Sequence, residues 1–212
     1  MLNEVLACGV PRSGSTLVWQ VLCRALPCKV TKAHPASWQR RAVDYIVGSV
    51  RHPYDAAASA FRCRIINDDG DGSQETVKGT LKGLKADLRM LASNYKMMKE
   101  LSQFFTDRVT VLKYENYFHS LDPIFDMVQD KFGINVPPKR RSSIRRECSF
   151  ESNRRKVLKL NPGDKWVNRM GLSHVAVGYP GSWKAIMPVW GYATLRKWAE
   201  PICEEWGYAY SE

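Results

Sequence analysis

The sequence predicts an α/β fold, a three-layer arrangement in which a parallel β-sheet carries helices on both faces, in one domain over residues 1–212. Two observations predict it. Short apolar, β-branched runs alternate with segments whose apolar residues recur every three or four positions. In addition, 212 residues with 44% hydrophobic content suit one buried core, with no internal repeat and no linker.

Glu4–Val10 (EVLACGV) reads as a strand ending in the turn Pro11–Thr16. Leu17, Val18, Val21, Leu22, Ala25 and Leu26 then recur at helical spacing until Pro27 closes the segment. Lys29–Lys32 predicts a second short strand, and Tyr45–Val50 (YIVGSV) a third. A helix is expected over 54–66, then a polar, glycine-rich loop over 67–79 that would serve as a mobile lid. Leu81, Leu84, Leu88, Leu91, Tyr95, Met98 and Leu101 mark a long amphipathic helix over 81–105. Val109–Leu112 predicts another strand and 121–132 a helix. Pro137-Pro138 then breaks the chain before a basic segment, and a tryptophan-rich helix over 189–206 closes it.

Lys and Arg number 32 against 21 Asp and Glu, giving a net charge of +11 and implying an anionic partner. No apolar run approaches the roughly 18–20 residues of a membrane span, and Met1–Glu4 lacks the basic region of a signal peptide. The six cysteines, at positions 8, 23, 28, 63, 148 and 203, show no CxxC pair or metal-ligand spacing. They read as reduced, mostly buried small hydrophobes in a cytoplasmic protein, and no metal is expected. Asn67–Gly72 has the look of a calcium loop, but Lys78 stands where the bidentate glutamate belongs.

Gly9-Val-Pro-Arg-Ser-Gly14-Ser15-Thr16 has the G-x-x-x-x-G spacing of a phosphate loop between a strand and a helix. An ATP or GTP loop continues with Lys; here Ser15 holds that position and Arg12 supplies the cation from within the loop.

Pro11–Leu17 (PRSGSTL) resembles the 5′-phosphosulfate loop of sulfotransferases that use 3′-phosphoadenosine 5′-phosphosulfate (PAPS). Further similarities follow in that family's order. Lys32-Ala33-His34 resembles its Lys-Thr-His motif. Arg51-His-Pro-Tyr-Asp55 with Ser59 resembles its 3′-phosphate element. Tyr114-Glu115 is similar to its Tyr-Glu strand end, Cys148-Ser-Phe-Glu151 to Thr-Ser-Phe-Glu, and Gly178–Lys184 (GYPGSWK) to G-x-x-G-x-W-K.

The resemblance implies a P-loop-NTPase-like sulfotransferase fold and a PAPS-dependent sulfotransferase that releases 3′-phosphoadenosine 5′-phosphate (PAP). By it, Ser13, Gly14, Ser15 and Thr16 hold the 5′-phosphosulfate, and Arg12 and Lys32 neutralise the leaving phosphate. His34 is the general base toward an acceptor hydroxyl or amine. Arg51 and Ser59 take the 3′-phosphate, Phe150 packs on adenine, Gly178 and Gly181 let backbone approach the nucleotide, and Trp183 braces the C-terminal loop.

Several positions depart from the family's pattern. Ala176 and Val177 stand where Arg-Lys is usual, with Arg154, Arg155, Arg169 and His174 as candidate replacements. Leu17 stands where a tryptophan often ends the loop. The segment from Arg12 to His34 is short, which implies an acceptor pocket that is more open or is completed by other loops. Pro188 and Ala193 interrupt the dimer motif that would start at Lys184, so no oligomeric state is inferred.

Lys139–Lys159 holds nine Lys/Arg and two Glu. Because it includes the Ser-Phe-Glu element, its charge is assigned in part to the nucleotide rather than to nucleic acid. The rival readings are a P-loop kinase, opposed by Ser15, and a nucleotide-binding module without turnover, motivated by Ala176 and Val177. The acceptor is left open among sugars, phenols, lipids and peptides.

Overall fold

A computed structural model of the chain describes residues 2–35, 42–67, 74–159 and 178–209. The first run of apolar residues forms strand β1, Glu4–Gly9, and the turn after it leads into helix α1, Ser15–Ala25. Strand β2, Lys29–Ala33, pairs with one side of β1, and strand β3, Tyr45–Val50, with the other. Strand β4, Val109–Lys113, pairs with β3. All three pairings are parallel, so the sheet order is β2-β1-β3-β4.

Alternation along the strands divides the core into two layers. Leu6, Cys8, Val10, Ile46 and Val50 face one side, where they meet helices α2 (Pro53–Asn67), α3 (Gln74–Phe104) and α9 (Tyr192–Trp206). Val5, Ala7, Tyr45 and Val47 face the other, against α1 and helices α5 (Asp122–Phe132) and α6 (Pro138–Glu147). Short helix α4, Tyr114–Tyr117, follows β4 directly; α7, Phe150–Leu158, follows α6; and α8, Trp183–Ile186, precedes α9. The three-layer α/β architecture is the one the sequence predicts.

Four local expectations are corrected. The loop expected over 67–79 is shorter, because α2 runs to Asn67 and α3 begins at Gln74. Gly79 lies inside that helix, where extending an existing helix adds one hydrogen bond per residue against a glycine cost of about 1 kcal/mol. Residues 68–73 of the expected lid lie outside the described residues. Tyr114 starts a helical turn instead of ending the strand. The basic stretch divides at Cys148-Ser149, because Ser149 Oγ accepts from the backbone N–H of Ser152 and caps α7. At the C-terminus, Val189–Gly191 is a separate 3-10 turn ahead of α9.

Candidate functional site

The four strands point the same way, so every connection leaving a strand end opens on one edge of the sheet. The order also reverses at β1, whose successor β2 lies on one side and β3 on the other. In open parallel sheets that arrangement leaves a crevice beyond the carboxyl ends of the strands. Here a cleft of about 910 Å³ occupies it. Arg12, Gly14, Ser15 and Thr16 line it after β1, Lys32 and His34 at the end of β2, Arg51 after β3 and Tyr114 after β4.

The phosphate loop is bent by two left-handed residues, Arg12 (φ 71°) and Gly14 (φ 77°). The first is not glycine, so the arginine carries backbone strain. Its side chain holds the bend, with Arg12 Nε donating to Ser59 Oγ at 3.1 Å. Gly14 has no room for a Cβ, which would fall 2.6 Å from Tyr114 Cδ2. Ser13 Oγ lies 2.8 Å from Ser49 Oγ, and Tyr117 Oη donates to the Ser13 carbonyl at 2.7 Å. These contacts tie the loop to β3 and α4.

The cleft concentrates positive charge. Burial lowers the pKa of Arg12; Arg62 and Arg51 push the same way, while Cys63 opposes them. A buried cation beside like charges favours an anionic ligand. Lys32 Nζ donates to Thr16 Oγ1, which places the ammonium beside the first turn of α1. His34 Nδ1 is 3.2 Å from the Gly9 carbonyl oxygen. A carbonyl only accepts, so Nδ1 carries the proton and the neutral ring has its lone pair on Nε2.

Arg51 is 4% exposed. Its Nη2 donates to the Gly178 carbonyl at 2.9 Å, and its guanidinium lies 4.6 Å from the centre of the Tyr114 ring. Its Nε is buried and has no hydrogen-bond partner among the described residues. The turn after Gly178 is fixed by Asp55 in the first turn of α2. Asp55 Oδ2 accepts from the Gly181 N–H at 2.7 Å, and Oδ1 from the Trp183 N–H at 3.1 Å.

The structure thus brings Arg12, Gly14, Ser15, Thr16, Lys32, His34, Arg51, Ser59, Phe150 and Gly178 onto one cleft. Ser13, Gly181 and Trp183 do not line it. Ser13 is fully buried behind the loop, Gly181 turns the chain at φ 81°, and Trp183 packs against Tyr54 with ring centres 4.8 Å apart. Ser59 reaches Arg12, although the sequence paired it with Arg51. Ala176, Val177, Arg169 and His174 lie outside the described residues; Arg154 and Arg155 are exposed on α7.

Sequence reasoning missed Phe118, His119, Arg145 and Tyr179, all of which line the cleft. It also missed the pairing of Gln20 with Asn153, whose side-chain amides exchange two hydrogen bonds of 3.1 Å and lock α7 to α1. The signal available for Phe118 was its place four residues after Tyr114, on the same side of a helical turn.

No protein-family model matches the chain, and no curated protein does. Solved structures do. Mouse sulfotransferase SULT7A1 complexed with PAP aligns at TM-score 0.67 and 16% identity, over 95% of this chain and 84% of its own. Retinol dehydratase in complex with androsterone and the inactive cofactor PAP aligns at TM-score 0.64 and 16% identity, over 99% and 84%. Retinol dehydratase with retinol and PAP gives 0.65 and 15%, over 100% and 84%. The chain has the sulfotransferase fold.

Among the described residues no helix is long and apolar enough to cross a membrane, and no cluster of His, Cys, Asp or Glu is arranged to hold a metal ion.

Proposed function

We propose that the chain is a sulfotransferase that moves a sulfuryl group from PAPS to an acceptor hydroxyl or amine. The observation that carries this reading is the convergence of Arg12, Lys32, His34 and Arg51 on one cleft at the carboxyl ends of parallel strands. The chemistry of the site fits a doubly phosphorylated nucleotide. The buried Arg51 with its unmatched Nε and the mutually repelling Arg12 and Arg51 suit bound anions. Gly14, Ser15 and Thr16, at the start of α1, would hold the 5′-phosphosulfate, with Ser13 supporting the loop from behind. Arg51 would hold the 3′-phosphate, Phe150 would pack on the base, and Gly178 would bring backbone close to the nucleotide.

PAPS, when bound, supplies the sulfuryl group and departs as PAP. His34 takes the acceptor's proton on Nε2, so that the acceptor oxygen or nitrogen attacks sulfur as an anion or free amine. Arg12 and Lys32 neutralise the negative charge that collects on the bridging oxygen as the S–O bond breaks. Nearly all the acceleration then comes from positioning and charge, as in phosphoryl transfer.

The test is transfer of labelled sulfate from PAPS across an acceptor panel, together with thermal shifts. Turnover that is lost in His34→Ala, with stabilisation by PAP retained, is the expected result. Stabilisation by PAP with no turnover on any acceptor would indicate a binding module, and stabilisation by ATP alone would indicate a kinase.

A further inference from the structure

Arg51 and His52 form the connection between β3 and α2, and the peptide group that joins them is held at both ends. Tyr95 Oη, from α3, donates to the Arg51 carbonyl oxygen. Glu115 Oε1, from α4, accepts from the His52 N–H at 2.7 Å. A peptide group is planar, so fixing its C=O and its N–H fixes the whole plane on one side of the Arg51 Cα. Pairing of β3 with β4 up to Val50 and Lys113 fixes the other side. Together they set the direction in which the arginine leaves the backbone.

Glu115 is itself braced. Its second oxygen, Oε2, accepts from Tyr208 Oη at 3.3 Å, in the segment that follows the Gly207 cap of α9. Burial, and next the Glu115 charge, raise the Tyr208 phenol above its ordinary value of 10, so the hydroxyl keeps the proton it donates. The same segment is tied to the ends of both strands. Lys113 Nζ, at the end of β4, donates to the Trp206 and Gly207 carbonyls at 2.8 and 3.2 Å and lies 4.4 Å from the centre of the Tyr208 ring. His52 Nε2 is 3.0 Å from the Ala209 carbonyl oxygen, and the His52 and Tyr208 rings are 5.1 Å apart. Arg51 lines the cleft; Glu115 and Tyr208 do not.

We propose that Glu115 and Tyr208 are positioning residues that act through the Arg51–His52 peptide to aim the Arg51 guanidinium at the 3′-phosphate of the nucleotide. The inference rests on the donor reading above. It links the segment after α9 to a phosphate that this segment does not touch.

Calorimetric titration with PAP and with adenosine 5′-phosphate (AMP), which lacks the 3′-phosphate, tests the assignment, with Tm read beside it. Glu115→Ala leaves the His52 N–H without its acceptor. It is expected to lower the PAP-to-AMP affinity ratio about tenfold, the scale of one hydrogen bond to a charged group, with AMP changed less than about twofold. Glu115→Gln keeps a carbonyl oxygen for that N–H and should return the ratio to within about threefold of wild type. Tyr208→Ala removes the brace on Glu115 and leaves its bond to His52 in place. It should give a smaller fall in the ratio, again confined to PAP, and it decides the matter alone where Glu115→Ala fails to fold. Equal losses on PAP and AMP that track Tm would overturn the inference and make both residues scaffold. An unchanged ratio in either folded alanine variant would overturn it too. A wild-type chain that binds PAP no more tightly than AMP sinks the 3′-phosphate assignment itself, and with it the donor reading.

Discussion

The Arg51 guanidinium is held against the carbonyl oxygen of Gly178, across 127 residues of sequence, by a 2.9 Å hydrogen bond. A Cβ on Gly178 would fall 2.9 Å from both terminal nitrogens of that guanidinium. Gly178→Ala should therefore push Arg51 off its position. Isothermal titration is expected to show PAP binding weakened about tenfold or more, since hydrogen bonds to charged groups are worth about 1.5–3 kcal/mol. The fold should survive, because the displaced atoms are the far end of a side chain.

Gly14 and Gly133 share the left-handed conformation, at φ 77° and 67°, but only Gly14 is crowded. Gly133→Ala should cost about 1 kcal/mol in a denaturant titration, from backbone strain alone. Gly14→Ala adds a collision with Tyr114 and Tyr117 and should cost about 3 kcal/mol, with loss of nucleotide binding.

Asp55 is 2% exposed and accepts two backbone N–H groups from the turn that carries Gly181 and Trp183. Asparagine keeps one acceptor and presents an amide N–H₂ to the other donor. Asp55→Asn is expected to destabilise the protein by about 2 kcal/mol, read as a lowered Tm. It should also weaken PAP binding, because the same turn positions Gly178.

Acid should loosen the α6 region. Hydrogen bonds from Arg24 and Ser143 hold the Glu147 carboxyl below its ordinary value of 4.5. The Ser120 hydroxyl, followed by Arg145, holds Asp122 below 3.8. A depressed carboxylate stabilises the fold above its unfolded pKa and loses that contribution as pH falls through the folded one. Both groups are substantially exposed, so Glu147→Gln should flatten the Tm profile between roughly pH 5 and pH 3 by about 2 °C or less.

The β1–loop–α1 unit was legible in the sequence because its signals are local. An apolar run, a proline–glycine turn and an apolar period of 3.6 succeed one another, and Pro27 closes the helix. The early start of α3 was hidden by Gly79, which reads as a loop residue yet lies within a helix anchored by the buried Leu84, Leu88 and Leu91 further along. Helix α6 was hidden for another reason. Ile144 is its buried residue, so it has no apolar stripe to betray it, and its position is fixed by the fold rather than by periodicity.

At the site, the placement of Arg12, Gly14, Lys32, His34 and Arg51 on one cleft was readable, because each stands where a strand end meets the next connection. The contacts that orient those groups were not. Ser59 lies beside Arg12 because α2 runs past the loop, and Asp55 turns its carboxylate to a segment more than a hundred residues away. Phe118 and Tyr179 likewise meet only through tertiary packing, which no spacing rule encodes.

Strand β2 pairs with β1 alone among the described residues, and its residues are partly exposed where those of β3 are all buried. His34 comes after this outer strand and is exposed, while Arg51 comes after a strand enclosed on both sides. On the donor–acceptor reading, proton removal therefore takes place at the rim of the molecule and nucleotide anchoring in its interior. Among the described residues, no strand lies outside β2 between His34 and solvent.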